Sequence, residues 1–260
     1  MEADPDCEVG ADPAKLRIAF TSEPFLGSTV DGDCVKGLEA TAKLCADLGH
    51  EVIEAAPQID GKAFARAFMT LVCSETRASI EEAEVLLSCK ASFRDFEPST
   101  WVIALLGRQR RASEFSKSLN LIQLMGRQMG QFFEKYDVML TPTLAMPPVV
   151  TGALQPKGFQ AVAMKLLGRL NAGGVINTLS GGIDALAEQV FEFMPYTPLF
   201  NATGQPAMSV PLCWNDDGLP IGMQFIGRYG DETTLFRLAG QLEKAKPWFG
   251  RFPPICARPE

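Results

Sequence analysis

One histidine, His50, stands in the 260 residues of this chain. Seven cysteines sit at positions 7, 34, 45, 73, 89, 213 and 256, and none forms a C-x-x-C pair. A single imidazole and unclustered thiols do not make a zinc site. The odd, scattered cysteines also exclude a disulfide frame and fit a reducing compartment. Basic charge is scarce: 24 Lys and Arg face 31 Asp and Glu, a net charge of −7. That balance disfavours a nucleic-acid partner, because binding phosphate needs a basic face. The longest basic cluster, Arg108-Gln109-Arg110-Arg111, reads as a solvated helix face. No apolar run reaches the ~18–20 residues of a membrane span. The acidic N-terminus, M-E-A-D-P-D-C-E-V-G, lacks a charged-then-apolar export pattern. These absences predict a cytoplasmic chain with no metal, no cofactor and no membrane partner. Gly173-Gly174 has no strand before it and no G-x-G-x-x-G around it, so it is not a dinucleotide fingerprint. No G-x-S-x-G nucleophile elbow is present either.

What is present reads as an α/β fold. Residues 1–14 hold two Asp-Pro pairs and are expected to form a flexible leader. Leu16 to Phe20 alternates as a strand. Cys34 to Leu48 places apolar residues at helical spacing and stops at Gly49, a good C-terminal cap. Glu51 to Ala55 is a second strand. Strand, amphipathic helix and strand make a βαβ unit, hence a sheet with helices on its faces. Residues 61–90 and 101–136 are helical by pattern, the latter as two helices meeting near Arg111-Ala112-Ser113. Tyr136 to Thr143 is a short buried strand ending in Thr-Pro. Helices are expected over Phe159–Asn171, Ala185–Phe193 and Asp231–Lys246. Residues 15–250 are read as one α/β domain with a mixed β-sheet, and 251–260 as an irregular tail.

The most informative stretch runs from Tyr196 to Gly227. Asn201-Ala202-Thr203-Gly204-Gln205-Pro206 is rich in breakers and reads as a backbone turn. Ala207–Leu212 and Ile221–Gly227 read as two strands joined across Asn215-Asp216-Asp217-Gly218, a β-hairpin. The stretches N-A-T-G-Q-P-A-M-S-V-P and D-G-L-P-I-G-M-Q-F-I-G resemble the C-terminal region of the amidase signature family. Y-D-V-M-L-T-P-T is a second, independent point of resemblance. The likeness extends from about Leu16 to about Trp248 and corresponds to the second half of that family's domain.

The resemblance implies a serine hydrolase that cleaves a carbon–nitrogen bond in a small, hydrophobic amide, with ester cleavage as the alternative chemistry. In the family, a serine activated by a second, cis-bonded serine and a lysine lies in a Gly/Ser-rich first half. No G-G-S-S-G-type segment occurs here, so no catalytic residue carries over. Ser180-Gly181-Gly182 lacks the second serine. Ser113, Ser116 and Lys117 fall in a helical pattern, and Ser209 falls in a strand. His50 matches a turn element of the family. By resemblance, Thr141, Pro142, Asn201, Thr203, Gly204 and Pro206 would line or brace the substrate pocket, with Met146, Phe159 and Phe200 favouring an apolar substrate. The other reading is a non-catalytic half-domain acting through binding or assembly. Exposed edge strands and apolar faces would then predict a homo-oligomer, or a complex with a missing N-terminal half.

Overall fold

The computed structural model describes residues 8–26, 29–175 and 182–252, without the side chains of residues 159 and 160. The expected βαβ unit is formed by β1 (Arg17–Phe20), α1 (Gly32–Asp47) and β2 (Glu51–Glu54). Asp31 caps α1 by accepting from the Asp33 N–H at 2.8 Å. Gly49, at φ +97°, turns the chain out of the helix, a conformation that favours glycine. β1 and β2 are parallel neighbours.

β3 (Val138–Pro142) lies parallel on the other side of β1. β4 (Ala207–Trp214) and β5 (Pro220–Gly227) form the expected hairpin, and β5 runs antiparallel to β3. The result is a mixed five-stranded sheet in the order β2-β1-β3-β5-β4. The hairpin turn is closed by Asn215 N–H donating to the Leu219 carbonyl at 3.0 Å and by Gly218 at φ +74°.

Helices cover both faces of the sheet. On one face, α1 and α8 (Glu232–Ala245) seal an apolar core with Ile18, Val138, Leu140, Val210, Leu212, Ile221, Met223 and Phe225. The alternation along β3 and β5 produces this face directly. On the other face lies a helical layer: α2 (Gly61–Leu86), α3 (Pro98–Gly107), α4 (Ala112–Phe133), α5 (Gly158–Arg169) and α6 (Gly182–Phe193). Only Met139 and Ile226 of the sheet enter that layer's buried cluster. α2 and α3 approach so closely that a Cβ on Gly107 would stand 2.0 Å from the Cys73 carbonyl oxygen.

One local expectation changes. The segment read as a turn from Asn201 is helical as far as Thr203: α7 spans Thr197–Thr203, and only Gly204-Gln205-Pro206 turns. Pro198 sits in its first turn, where a missing N–H costs nothing. The Thr203 hydroxyl donates to the Leu199 carbonyl at 2.7 Å, and Gly204 caps the end at φ +84°. Residues 1–7 lie outside the described residues, but Glu8 pairs with Arg237 at 2.5 Å and Val9 packs against Gly240 of α8. Of the expected tail, 253–260 also lies outside the described residues.

Candidate functional site

Ligands of open α/β sheets gather at the carboxyl ends of the parallel strands. Here that end is marked by Thr141 and Pro142, both buried. The Thr141 hydroxyl donates to the Pro142 carbonyl at 2.9 Å. Thr141 pairs with Gln224 of β5, and Gln224 pairs with Ser209 of β4. All three share the sheet face turned away from α1 and α8. Just beyond β3, Thr143 Oγ1 lies 2.6 Å from Ser209 Oγ. Gly222 lies beneath this hydroxyl pair: a Cβ there would sit 2.7 Å from Ser209 Oγ and 2.8 Å from Thr143 Oγ1. Gln224 is 3% exposed, and its Oε1 is buried without a hydrogen-bond partner among the described residues. The apolar sheet therefore carries a strip of polar groups at one end. Tyr196, fully buried at the start of α7, donates its hydroxyl to the Ser22 carbonyl at 2.7 Å and ties that end to the segment after β1. Burial raises the Tyr196 pKa well above the usual phenol value, with the nearby Cys34 adding to the shift, so the phenol stays protonated.

The other expected site residues lie elsewhere. Asn201 is exposed on α7. The Thr203 hydroxyl contacts Gln205 Oε1 as well as the Leu199 carbonyl. Gly204 faces the Tyr229 ring, and the Pro206 carbonyl accepts from Gly227 N–H at 2.9 Å. This turn borders an open groove of about 840 Å³ between α4 and Arg228-Tyr229. Leu119, Ile122 and Phe133 form its apolar wall, while Gln123, Arg127 and Glu134 add polar edges. Thr203 lines the groove; Asn201, Gly204, Pro206, Thr141 and Pro142 do not.

The structure thus divides the expected set into two. Pro142 pairs with Met223 and Pro206 bonds to Gly227, four residues further along β5. At the strand rise this is roughly 13 Å, and α7 runs between the two ends. Sequence reasoning missed Thr143, Gly222 and Gln224 as neighbours of Thr141, and it assigned Ser209 to the strand alone. Their signal was a period of two: Thr141 and Thr143, then Gly222 and Gln224, on strands whose other positions are apolar.

Ser209 lies in this strip, and the other serines and the histidine weighed as candidates lie elsewhere. His50 is buried; its Nδ1 accepts from Leu16 N–H at 3.2 Å and its Nε2 donates to Gln241 Oε1 at 2.8 Å. With both ring nitrogens engaged, it braces the α1–β2 turn. Ser113, Ser116 and Lys117 are exposed on α4. Ser180 and Gly181 lie outside the described residues. Burial pushes the Cys34 thiol up to about 11, helped by Asp31 and Asp33, and raises Cys45 to about 12 and Cys73 to about 11. None of these three is a thiolate near neutral pH. Among the described residues no cluster of His, Cys, Asp and Glu could hold a metal ion.

Residues 3–236 match the family model described as Amidase. The chain belongs to the amidase family. It is similar to the 6-aminohexanoate-cyclic-dimer hydrolase of Pseudomonas sp. (strain NK87), 28% identical over 250 residues, covering 95% of this chain and 47% of the relative. It is also similar to the lipoamidase of Enterococcus faecalis, 25% identical over 228 residues, covering 87% of this chain and 31% of the relative. Among solved structures, a 6-aminohexanoate cyclic dimer hydrolase complexed with substrate superposes with a TM-score of 0.76 at 25% identity, covering 98% of this chain and 50% of that one. The chain spans about half the length of the 6-aminohexanoate-cyclic-dimer hydrolase and about a third of the lipoamidase.

Proposed function

We propose that this chain forms the substrate-walling half of an amidase that hydrolyses the carbon–nitrogen bond of a small, hydrophobic amide. The catalytic serine pair and lysine would come from a Gly/Ser-rich half that these 260 residues do not contain. One observation carries the reading: the family match over residues 3–236 falls on a chain without a G-G-S-S-G-type segment. A serine hydrolase needs a nucleophile, a base within hydrogen-bond reach and donors aimed at the oxyanion. Without that set, most of the rate acceleration is lost. In this reading Thr141 and Pro142 brace the site at the sheet's polar strip. Asn201, Thr203, Gly204 and Pro206 shape the far end of α7. The partner is the Gly/Ser-rich half itself, with self-assembly as the competing mode.

The test is hydrolysis of an apolar p-nitroanilide, with the matching p-nitrophenyl ester run alongside. The chain alone should show no turnover above buffer. Co-expression with the part of the Pseudomonas relative that this chain does not match should restore anilide cleavage. Enzyme-level turnover by the chain alone, lost on replacing Ser113, Ser116, Ser118 and Ser180 by Ala, would sink the proposal. Ester cleavage without anilide cleavage would reassign the chemistry.

A further inference from the structure

α5 has two unlike faces. Its inner face packs Met164 and Leu167 into the helical core, and Gly168 lies so close to Phe93 that a Cβ would meet the ring at 2.6 Å. This anchoring fixes which side looks outward. On that side Val162, Leu166 and Leu170 are 63%, 57% and 66% exposed. Their spacing of four residues makes one continuous apolar stripe. Lys165 and Arg169, also exposed, border the stripe, and Lys157 precedes the helix. None of the three cations enters an ion pair among the described residues. The local charge is unusual for this chain. From Val138 to Ile183 there is no Asp or Glu, although the whole carries a net −7.

We propose that the outward face of α5 docks on an anionic lipid surface, against the sequence expectation of no membrane partner. An exposed apolar stripe bordered by Lys and Arg is the make-up of a helix lying in a membrane interface. The apolar side chains enter the acyl boundary and the long cations reach the headgroups. The contact is peripheral, since no described helix is long and apolar enough to cross a membrane. A second copy docked face to face would set cations against cations. The chain supplies its own control at the end of α2. Val85, Leu86 and Leu87 are at least as exposed, but Glu81, Glu82 and Glu84 stand beside them. The same apolar character there is bordered by acidic groups, two of them paired with Arg77 and Lys90.

Flotation of the 260-residue chain with phosphatidylcholine vesicles, with and without phosphatidylglycerol, tests the proposal. Binding should require phosphatidylglycerol and fall with added salt. The double variant K165E/R169E should bind about tenfold more weakly or worse, and L166S/L170S should not float. The triple variant V85S/L86S/L87S should bind like the parent. All are exposed positions, and matching circular dichroism spectra would show that the folds are intact. No flotation, or equal binding to neutral vesicles, would overturn the proposal. So would a dimer in light scattering that L166S/L170S dissolves without lipid. Tighter binding to an acidic amphipathic peptide than to vesicles would overturn it in favour of a protein partner.

Discussion

The two faces of the sheet differ more than their strands suggest. Toward α1 and α8, every inward position of β3 and β5 is apolar, and the cluster is continuous from Ile18 to Phe225. Toward the helical layer, Met139 and Ile226 are apolar, but Thr141, Gln224 and Ser209 follow at the other end. A buried amide oxygen without a partner costs stability, whereas replacing it with a group of the same shape can be neutral or better. The first face is therefore built for stability. The second gives up part of its apolar area to polar groups, and this is why the candidate site is placed there.

Adjacent residues of β5 give the sharpest contrast. Phe225, fully buried on the apolar face, should cost about 3–5 kcal/mol when replaced by Ala. Urea unfolding measures this; a loss under about 1 kcal/mol would mean that the apolar face is not the stabilising one. The helical layer offers a steric counterpart. Gly107→Ala pushes a methyl group into the Cys73 carbonyl, so α2 and α3 must separate. Overpacking of this kind costs about 1–3 kcal/mol, and the same urea titration should show a shifted midpoint.

On the polar face the expectation reverses. Gln224→Leu removes a buried acceptor that has no donor among the described residues. Stability should change by less than about 1 kcal/mol, in either direction. If the polar strip belongs to the amidase site, the same variant should lower anilide turnover in the complemented enzyme while leaving the urea midpoint in place. A loss as large as that of Phe225→Ala would show that the two faces are alike and that Gln224 is structural.

The contrast between the faces was only half legible in the sequence. β1, α1, β2, β3 and the hairpin were readable because apolar spacing and breakers agree, as at Gly49 and at Asn215 to Gly218. The resemblance to the amidase signature family was readable because its motifs lie in those same elements. α7 was not, because Thr203, Gly204 and Pro206 all signal a turn. The helix is held instead by Thr203 bonding back to Leu199 and by burial of Leu199 and Phe200. The grouping of Thr141 with Thr143, Ser209 and Gln224 depends on strand register across 83 positions of sequence, from 141 to 224. Local periodicity fixes which face a residue takes, but not which strand lies beside it.

The smallest expected effect belongs to the helical layer's surface. Arg66 of α2 donates through Nε to Asp184 of α6 at 2.8 Å, with a second contact through Nη2. The side chains are 68% and 53% exposed, so solvent screens the pair. The hydrogen bond from Arg66 holds the Asp184 carboxyl below its usual pKa. A carboxyl with a lowered folded-state pKa contributes stability above its unfolded value. That contribution disappears as pH falls through the folded value. Asp184→Asn should therefore cost less than about 0.5 kcal/mol near neutral pH, and the gap from the parent should close in acid, as pH falls through the lowered folded-state pKa. Paired urea titrations at the two pH values would measure it. A gap that persisted in acid would mean that Asp184 acts through packing rather than charge. The α2–α6 contact would then depend, like the face packed on α1 and α8, on shape more than on polar groups.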